Sequence, residues 1–302
     1  MKSVTEKLKH LFWALKNSLR YLSIFLPFGH LRNYDRTSGS FYLRNSLKGI
    51  DGQLINLCRD KVMAPYVNRF GYWDKDLSQF ISSNLNNSDR KNIFLDIGAN
   101  QGLVTLQVIK GCLDIKHTKF ILLEPVVEFF GNLQMNFHQS NSLASYTLLN
   151  FGLGRVPNQS AYSYSSNRNS TSTQYLNLTL DPKNKLKINN IVIISVAQFI
   201  MSYLDTKTFD QLIVKSDTDG SDLEIFDCFV NSTIRAKLIT YTLEVILTTI
   251  SKADLEIFLN NCCGFANWIL ILRNGEMLED KQSIRNILEK ERNYVGDLYL
   301  SN

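Results

Sequence analysis

The stretch FLDIGANQG, residues 94–102, decides how the rest of the chain reads. It is the end of a short apolar, β-rich run, KNIFLDIG (91–98), which closes on an acid, Asp96, and a glycine, Gly98. Gly102 then opens LVTLQVIKG (103–111), whose apolar residues recur at helical spacing before a terminal glycine. Together they read as a strand, a tight turn and a helix, the first unit of an alternating α/β sheet.

The pattern repeats downstream. KFILLEP (119–125) reads as a second buried strand and VVEFFGNLQMNFHQS (126–140) as its helix. A third strand is expected over SYTLLNFGLG (145–154) and a fourth over FDQLIVKSD (209–217), followed by a helix through SDLEIFDCFV. AKLITYTLEV (236–245) is a fifth strand, SKADLEIFLNNC (251–262) a helix, and WILILRNG (268–275) and GDLYLS (296–301) close the sheet. The expected class is α/β and Rossmann-like, a mostly parallel sheet with helices on both faces and an antiparallel edge. One segment breaks the rhythm: NQSAYSYSSNRNSTSTQYLNLTLDP (158–182), polar and tyrosine-bearing, reads as a β-hairpin or flap. NNIVIISVAQFI (189–200) adds a further strand and a helical turn. Residues 90–302 are thus one domain, and 1–89 an N-terminal helical extension.

Composition sets bounds on function. Of 302 residues, 44% are hydrophobic and 20% charged, as in a globular protein with a core. A net charge of +5 is too mild for a DNA partner. The five cysteines are odd in number and form no C-x-x-C, which argues against a disulfide framework and for a reducing cytosol. No histidine stands at zinc-ligand spacing from a cysteine. No apolar run reaches the roughly 18 residues of a membrane span. YLSIFLPF (21–28) sits late, contains Pro27 and lacks a small-residue cleavage site, unlike a secretory leader. Residues 4–28 do repeat apolar side chains at helical spacing between lysines. Two placements stay open for that basic amphipathic helix: docked on its own core, or on the anionic inner face of a membrane.

In open α/β sheets, ligands sit at the carboxyl ends of strands. The loop from Asp96 through Gly98 and Asn100 to Gly102 has G-x-x-x-G and not the G-x-G-x-x-G of a dinucleotide site. An acid beside it suits a ligand with a cationic amino group and sulfonium and no phosphate, S-adenosylmethionine in preference to NAD. Glu124, followed by Pro125, ends the second strand, where an acid can accept both ribose hydroxyls. Asn150 and Gly152, in the third strand, are candidates for the adenine or methionine portion. LIVKSDTDGSDLEIF (212–226) groups Asp217, Asp219 and Asp222 around Gly220. A calcium loop fails on register, because from Asp217 the glycine falls fourth and Cys228 twelfth. Asp217, at the strand tip, is the candidate base, with Lys215 on the same face of the strand as its partner or as an orienting group. A structural ion pair is the competing reading. Asp222 and Glu224 lie in the first helical turns, where acids favour the dipole. Tyr162, Tyr164 and Tyr175, among Ser and Asn, could stack on a sugar, or simply decorate a surface hairpin.

FLDIGANQG, LLEP, NFGLG and VKSDTDGSDLEIF, in this order, resemble the FkbM family of S-adenosylmethionine-dependent methyltransferases over residues 90–250. That family's pattern is D-x-G-A-N-x-G, then E-P, N-x-x-L and K-x-D-x-x-G-x-E. Asp222 stands for the usual glutamate, Ser216 for an apolar residue, and SVAQFI (195–200) for a leucine–aspartate pair. The resemblance implies a class I methyltransferase fold and O-methylation, often of a sugar or natural-product hydroxyl. Lys215, Asp217 and Gly220 fall on the last motif; Asp217 and Lys215 remain the catalytic candidates, and Asp222, Tyr162 and Tyr164 the candidates for a saccharide acceptor. Rival expectations are a protein or RNA methyltransferase, and a non-catalytic module that keeps the fold.

Overall fold

The computed structural model describes residues 34–35, 40–42, 54–57, 63–86, 90–140, 144–164, 174–175, 187–218, 220–247, 250–272, 275–291 and 294–302. Two compact units emerge, residues 1–73 with 166–171, and the remainder.

The described part of the first unit is an antiparallel sheet of β1 (Tyr34–Asp35), β2 (Ser40–Tyr42) and β3 (Leu54–Asn56), with β2 central. Helix α1 (Met63–Phe70) follows. Tyr66 packs on Phe70, Trp73 and Tyr72 at ring-centroid distances of 4.6, 5.4 and 5.8 Å. The N-terminal region therefore contains strands as well as helix. The basic helix expected over residues 4–28 lies outside the described residues. Among the described residues no helix is long and apolar enough to cross a membrane.

The second unit begins at Asp74, earlier than the expected residue 90. Its first helix, α2 (Lys75–Asn86), belongs to the larger body. Ser82 Oγ reaches the Val108 carbonyl at 3.3 Å, and the Leu113 amide donates to Asn86 Oδ1 at 2.8 Å. The chain then alternates: β4 (Asn92–Ile97), α3 (Leu103–Gly111), β5 (Thr118–Leu123), α4 (Val127–Gln139) and β6 (Ser145–Leu149). Next come β7 (Gly152–Gly154), β8 (Asn158–Tyr164), β9 (Gln174–Tyr175), β10 (Lys187–Ser195) and α5 (Val196–Tyr203). The remainder is β11 (Gln211–Ser216), α6 (Asp222–Val230), β12 (Leu238–Ile246), α7 (Lys252–Cys262), β13 (Asn267–Leu272), β14 (Met277–Leu278), α8 (Lys281–Lys290) and β15 (Tyr294–Ser301).

The main sheet has the order β14-β13-β15-β12-β11-β4-β5-β6. From β12 to β6 the strands are parallel; β13 shares their direction, and β15 and β14 run opposite to it. Without the short β14, the strands in order of appearance read 3-2-1-4-5-7-6 from the β6 edge. That is a Rossmann-like sheet closed by an inserted antiparallel strand, the class I methyltransferase fold. Strand β4 is buried along its whole length and β5 and β11 nearly so, which is why they read as continuous apolar runs and not as alternation.

The expected third strand divides. After Leu149 the chain leaves the main sheet, and Gly152–Gly154 pairs in parallel with β10. At the break, Asn150 Nδ2 donates to the carbonyls of Glu124 and Pro125 at 2.8 and 3.2 Å. The polar segment forms the second sheet, β7-β10-β8-β9, so the hairpin reading holds for its strands.

Gly102 fixes how the first helix meets the second. Its φ is 81°, and a Cβ there would lie 2.5 Å from Leu133 Cδ1 and 2.8 Å from the Phe137 ring. Gly102→Ala combines left-handed strain of about 1–2 kcal/mol with overpacking of about 1–3 kcal/mol. Urea denaturation should show a loss of about 2–4 kcal/mol with an unchanged slope.

Candidate active site

Strands β4 and β11 lie side by side, with Lys215 in register with Asp96. From β4 the chain runs outward through β5 to β6, and it returns on the other side at β11. This reversal opens a crevice at the carboxyl ends of the strands. Its walls are the loops after β4, β5 and β11, and they are bonded to one another. The amides of Gly98 and Ala99 both donate to the Leu123 carbonyl, at 3.0 and 2.9 Å. The Asp217 amide donates to the Ile97 carbonyl at 3.0 Å. At Gly98 (φ 73°) a Cβ would lie 2.0 Å from the Asp217 carbonyl oxygen, so the glycine serves the contact between two loops.

Lys215 is buried, 3% exposed. Its Nζ donates to the Gly98 carbonyl at 3.0 Å and lies 3.1 Å from Asp96 Oδ1 and 3.5 Å from Asp217 Oδ2. Burial by itself would lower its pKa, but Asp96 and Asp217 outweigh that and hold the ammonium charged above its usual range. The second oxygen of Asp96, fully buried, accepts from Thr105 Oγ1 at 2.5 Å. Asp96 and Lys215 are thus both buried beneath the crevice, Asp96 beside Thr105 and Lys215, and Lys215 between Asp96, the Gly98 carbonyl and Asp217. Asp217 differs from both, because its side chain is 47% exposed.

Glu124 is buried, yet its two oxygens accept from main-chain amides, Oε2 from Asn100 and Oε1 from Val126, each at 2.8 Å. Burial pushes its carboxyl up to about 7, with the two amides and Lys215 opposing. An ionised carboxylate has about four lone-pair sites, so each oxygen keeps one for a ligand. Asn100 stands at φ 51°, and its Oδ1 is buried with no hydrogen-bond partner among the described residues. Pro125 is half-buried beside them. Asn150 is exposed but ties its amide to the neighbouring carbonyls. Gly152 is buried, with Ile193 Cδ1 2.7 Å from where a Cβ would stand. Asp222, expected at the acceptor, is fully buried and bonded to the loop after β11. Tyr162 is in register with Tyr175 and Asn189, and Tyr164 with Lys187, in the second sheet. The side chains of Tyr162, Tyr164 and Tyr175, and Asp219 as a whole, lie outside the described residues.

Two acids escaped the sequence reading. Asp74, just before α2, keeps solvent contact within a dense surround; desolvation pushes its carboxyl up to about 6, Asp217 adds repulsion and Lys215 opposes. Asp297, paired in register with Glu244, is pushed up to about 7 by burial, with Asp74 and Asp217 adding to the shift. A charged residue inside the apolar run VGDLYL was the available signal for Asp297. Among the described residues no group of three His, Cys, Asp or Glu side chains is placed to hold a metal ion.

The fold and its strand-end loops define a class I methyltransferase architecture. A model of the family described as Vibrio cholerae RfbT protein matches residues 59–259, and the chain belongs to that family. No curated protein matches the chain. Solved structures match at low identity. An O-methyltransferase from Bacillus cereus, in complex with SAH, has 11% identity and a TM-score of 0.39 over 76% of this chain and 82% of that one. The O-methyltransferase TomG from Streptomyces achromogenes, in complex with SAM, has 8% identity and a TM-score of 0.40 over 76% and 81%. A precorrin-6y C5,15-methyltransferase from Geobacter metallireducens has 10% identity and a TM-score of 0.36 over 82% and 93%. Scores this low carry no weight for the fold, which rests on the strand order.

Removing one partner of a buried ion pair strands the other. Lys215→Met should cost about 3–5 kcal/mol in urea denaturation, and adding Asp96→Leu should recover much of the loss. Equal losses in the single and double variants would contradict the pairing.

Proposed function

We propose that this protein is an S-adenosylmethionine-dependent O-methyltransferase acting on a hydroxyl of a sugar or surface glycan. One observation carries the reading. Three adjacent strand ends each keep one polar function open: Asn100 Oδ1 after β4, the spare lone pairs of Glu124 after β5, and the half-exposed Asp217 after β11. Their spacing is held by hydrogen bonds between the loops, so the set is preorganised. These residues fit the cofactor. Glu124 would accept from ribose hydroxyls and Asn100 Oδ1 from a donor on the same ligand. When bound, S-adenosylmethionine supplies an electrophilic methyl on a sulfonium.

Asp217 does the remaining chemistry from the protein's side. A hydroxyl is a poor nucleophile while protonated, and a carboxylate at the strand tip can take its proton as attack proceeds. Lys215, fixed beneath, holds that carboxylate in place. The FkbM-like order of motifs supports an oxygen acceptor. Tyr162 and Tyr164, in the polar strand β8, favour a saccharide on sequence grounds.

Calorimetric titration with S-adenosylhomocysteine, with NAD as control, tests the cofactor. Ribose recognition needs Glu124 ionised, and its carboxyl titrates at about 7. Affinity should therefore rise as pH climbs through that value, and Glu124→Gln should bind weakly with no such rise. Absence of heat with folded wild-type protein would overturn the reading. With labelled donor and lipid-linked or surface glycans, Asp217→Asn should lose roughly 10²–10⁴ in rate while keeping homocysteine-product binding.

A further inference from the structure

Helix α6 begins at Asp222, whose side chain does not face the helix amides alone. It turns back under the loop after β11. Oδ1 accepts from Ser216 Oγ at 2.5 Å and from the Thr218 amide at 3.0 Å. Oδ2 lies 3.2 Å from the same amide and 3.4 Å from the Gly220 amide. Asp222 and Ser216 are 0% and 1% exposed, and Tyr241, also fully buried, stands within electrostatic reach. The residue framed by these contacts is Asp217, which follows Ser216 and precedes Thr218.

From this geometry we infer that Asp222, seated by the Ser216 hydroxyl, is the positioning residue for Asp217. It sets the course of the backbone from Ser216 to Gly220 and so the direction in which the Asp217 carboxylate leaves the strand. The role of Asp217 rests on the function proposed above; the brace does not. Two contacts make the dependence sharp. The Asp217 amide is tied to the Ile97 carbonyl, and the Asp217 carbonyl abuts Gly98. A loop released at Thr218 would therefore disturb the glycine loop after β4 as well. Ser216 and Asp222 also fit each other by length. At 2.5 Å there is no room for the extra methylene of a glutamate unless the hydroxyl goes.

The test uses the full chain and four variants: Asp222→Asn, Ser216→Ala, Asp222→Glu and the double Ser216→Ala/Asp222→Glu. Amide hydrogen exchange is read at Thr218 and Gly220, with Val214 and Ile213 in β11 as internal controls. Loss of a hydrogen bond to a charged group predicts about tenfold or faster exchange at Thr218 and Gly220 in Asp222→Asn, with the β11 amides unchanged. Asp222→Glu should loosen the loop in the same way, and the double variant should restore it. Affinity for S-adenosylhomocysteine should follow the loop, down about tenfold in Asp222→Asn and recovered in the double variant. If Asp222→Asn does not fold, Ser216→Ala alone carries the test, because it removes one donor and leaves the carboxylate. Unchanged exchange at Thr218 and Gly220, or equal acceleration across β11, overturns the brace. Failure of the wild type to bind S-adenosylhomocysteine overturns the functional reading instead, and leaves the exchange comparison to decide the brace.

Discussion

The ammonium of Lys215 is the point on which the site depends. It joins strand β4 through Asp96, the loop after β4 through the Gly98 carbonyl, and the loop after β11 through Asp217. A charge this deeply buried is costly unless each of its donors finds an acceptor. Here the ammonium donates to the Gly98 carbonyl and lies 3.1 and 3.5 Å from the carboxylates of Asp96 and Asp217. Buried pairs of this kind contribute little net stability compared with an apolar substitute, so stability alone does not account for it. What the pair does is fix geometry. Loops that would otherwise be free to settle separately are tied to one nitrogen, and Asp217 is left as the member that meets solvent.

The acids around the crevice look alike in sequence and behave differently in place. Asp96 and Asp222 face groups of the protein itself, Asp96 the Thr105 hydroxyl and the Lys215 ammonium, and act as internal fasteners. Glu124 is intermediate, since main-chain amides take one lone pair on each oxygen and leave the other. Asp217, Asp74 and Asp297 crowd one another, and the carboxyls of Asp74 and Asp297 rise to about 6 and about 7. Both values put part of the local charge under the control of pH near neutrality. Burial separates the fasteners from the working groups, and burial is a property of the fold, not of the residue type.

Much of the fold was legible because its central strands are short apolar runs bounded by glycine and acid. Helix α3 falls where its spacing predicts, at Leu103–Gly111, and β11 and β12 differ from expectation only at their ends. The division of the third strand was not legible, because the partners there are distant in sequence: Asn150 bonds to carbonyls some 25 residues upstream, and β7 pairs with β10. Helix α8 was missed although the signals stood in the sequence: Asp280 caps it, accepting from the Ser283 amide at 2.7 Å, and Ile284, Ile287 and Leu288 recur at helical spacing. At the site, sequence order located the right loops. It could not say that Asp96 and Lys215 face each other, since that follows from the register of two strands more than a hundred residues apart.

The two departures from the FkbM-like motif in the loop after β11 can be understood as one. Taken singly, a serine in a buried strand and an aspartate in place of glutamate each look unfavourable. The first places a hydroxyl among apolar neighbours, and the second withdraws a carboxylate by one methylene from whatever it reached. In the structure each answers the other. The Ser216 hydroxyl lies against the shorter acid and donates to its Oδ1. The hydroxyl in turn finds the acceptor that its burial demands. The result keeps the loop amides of Thr218 and Gly220 directed at a carboxylate, which is the condition for Asp217 to stand where it does.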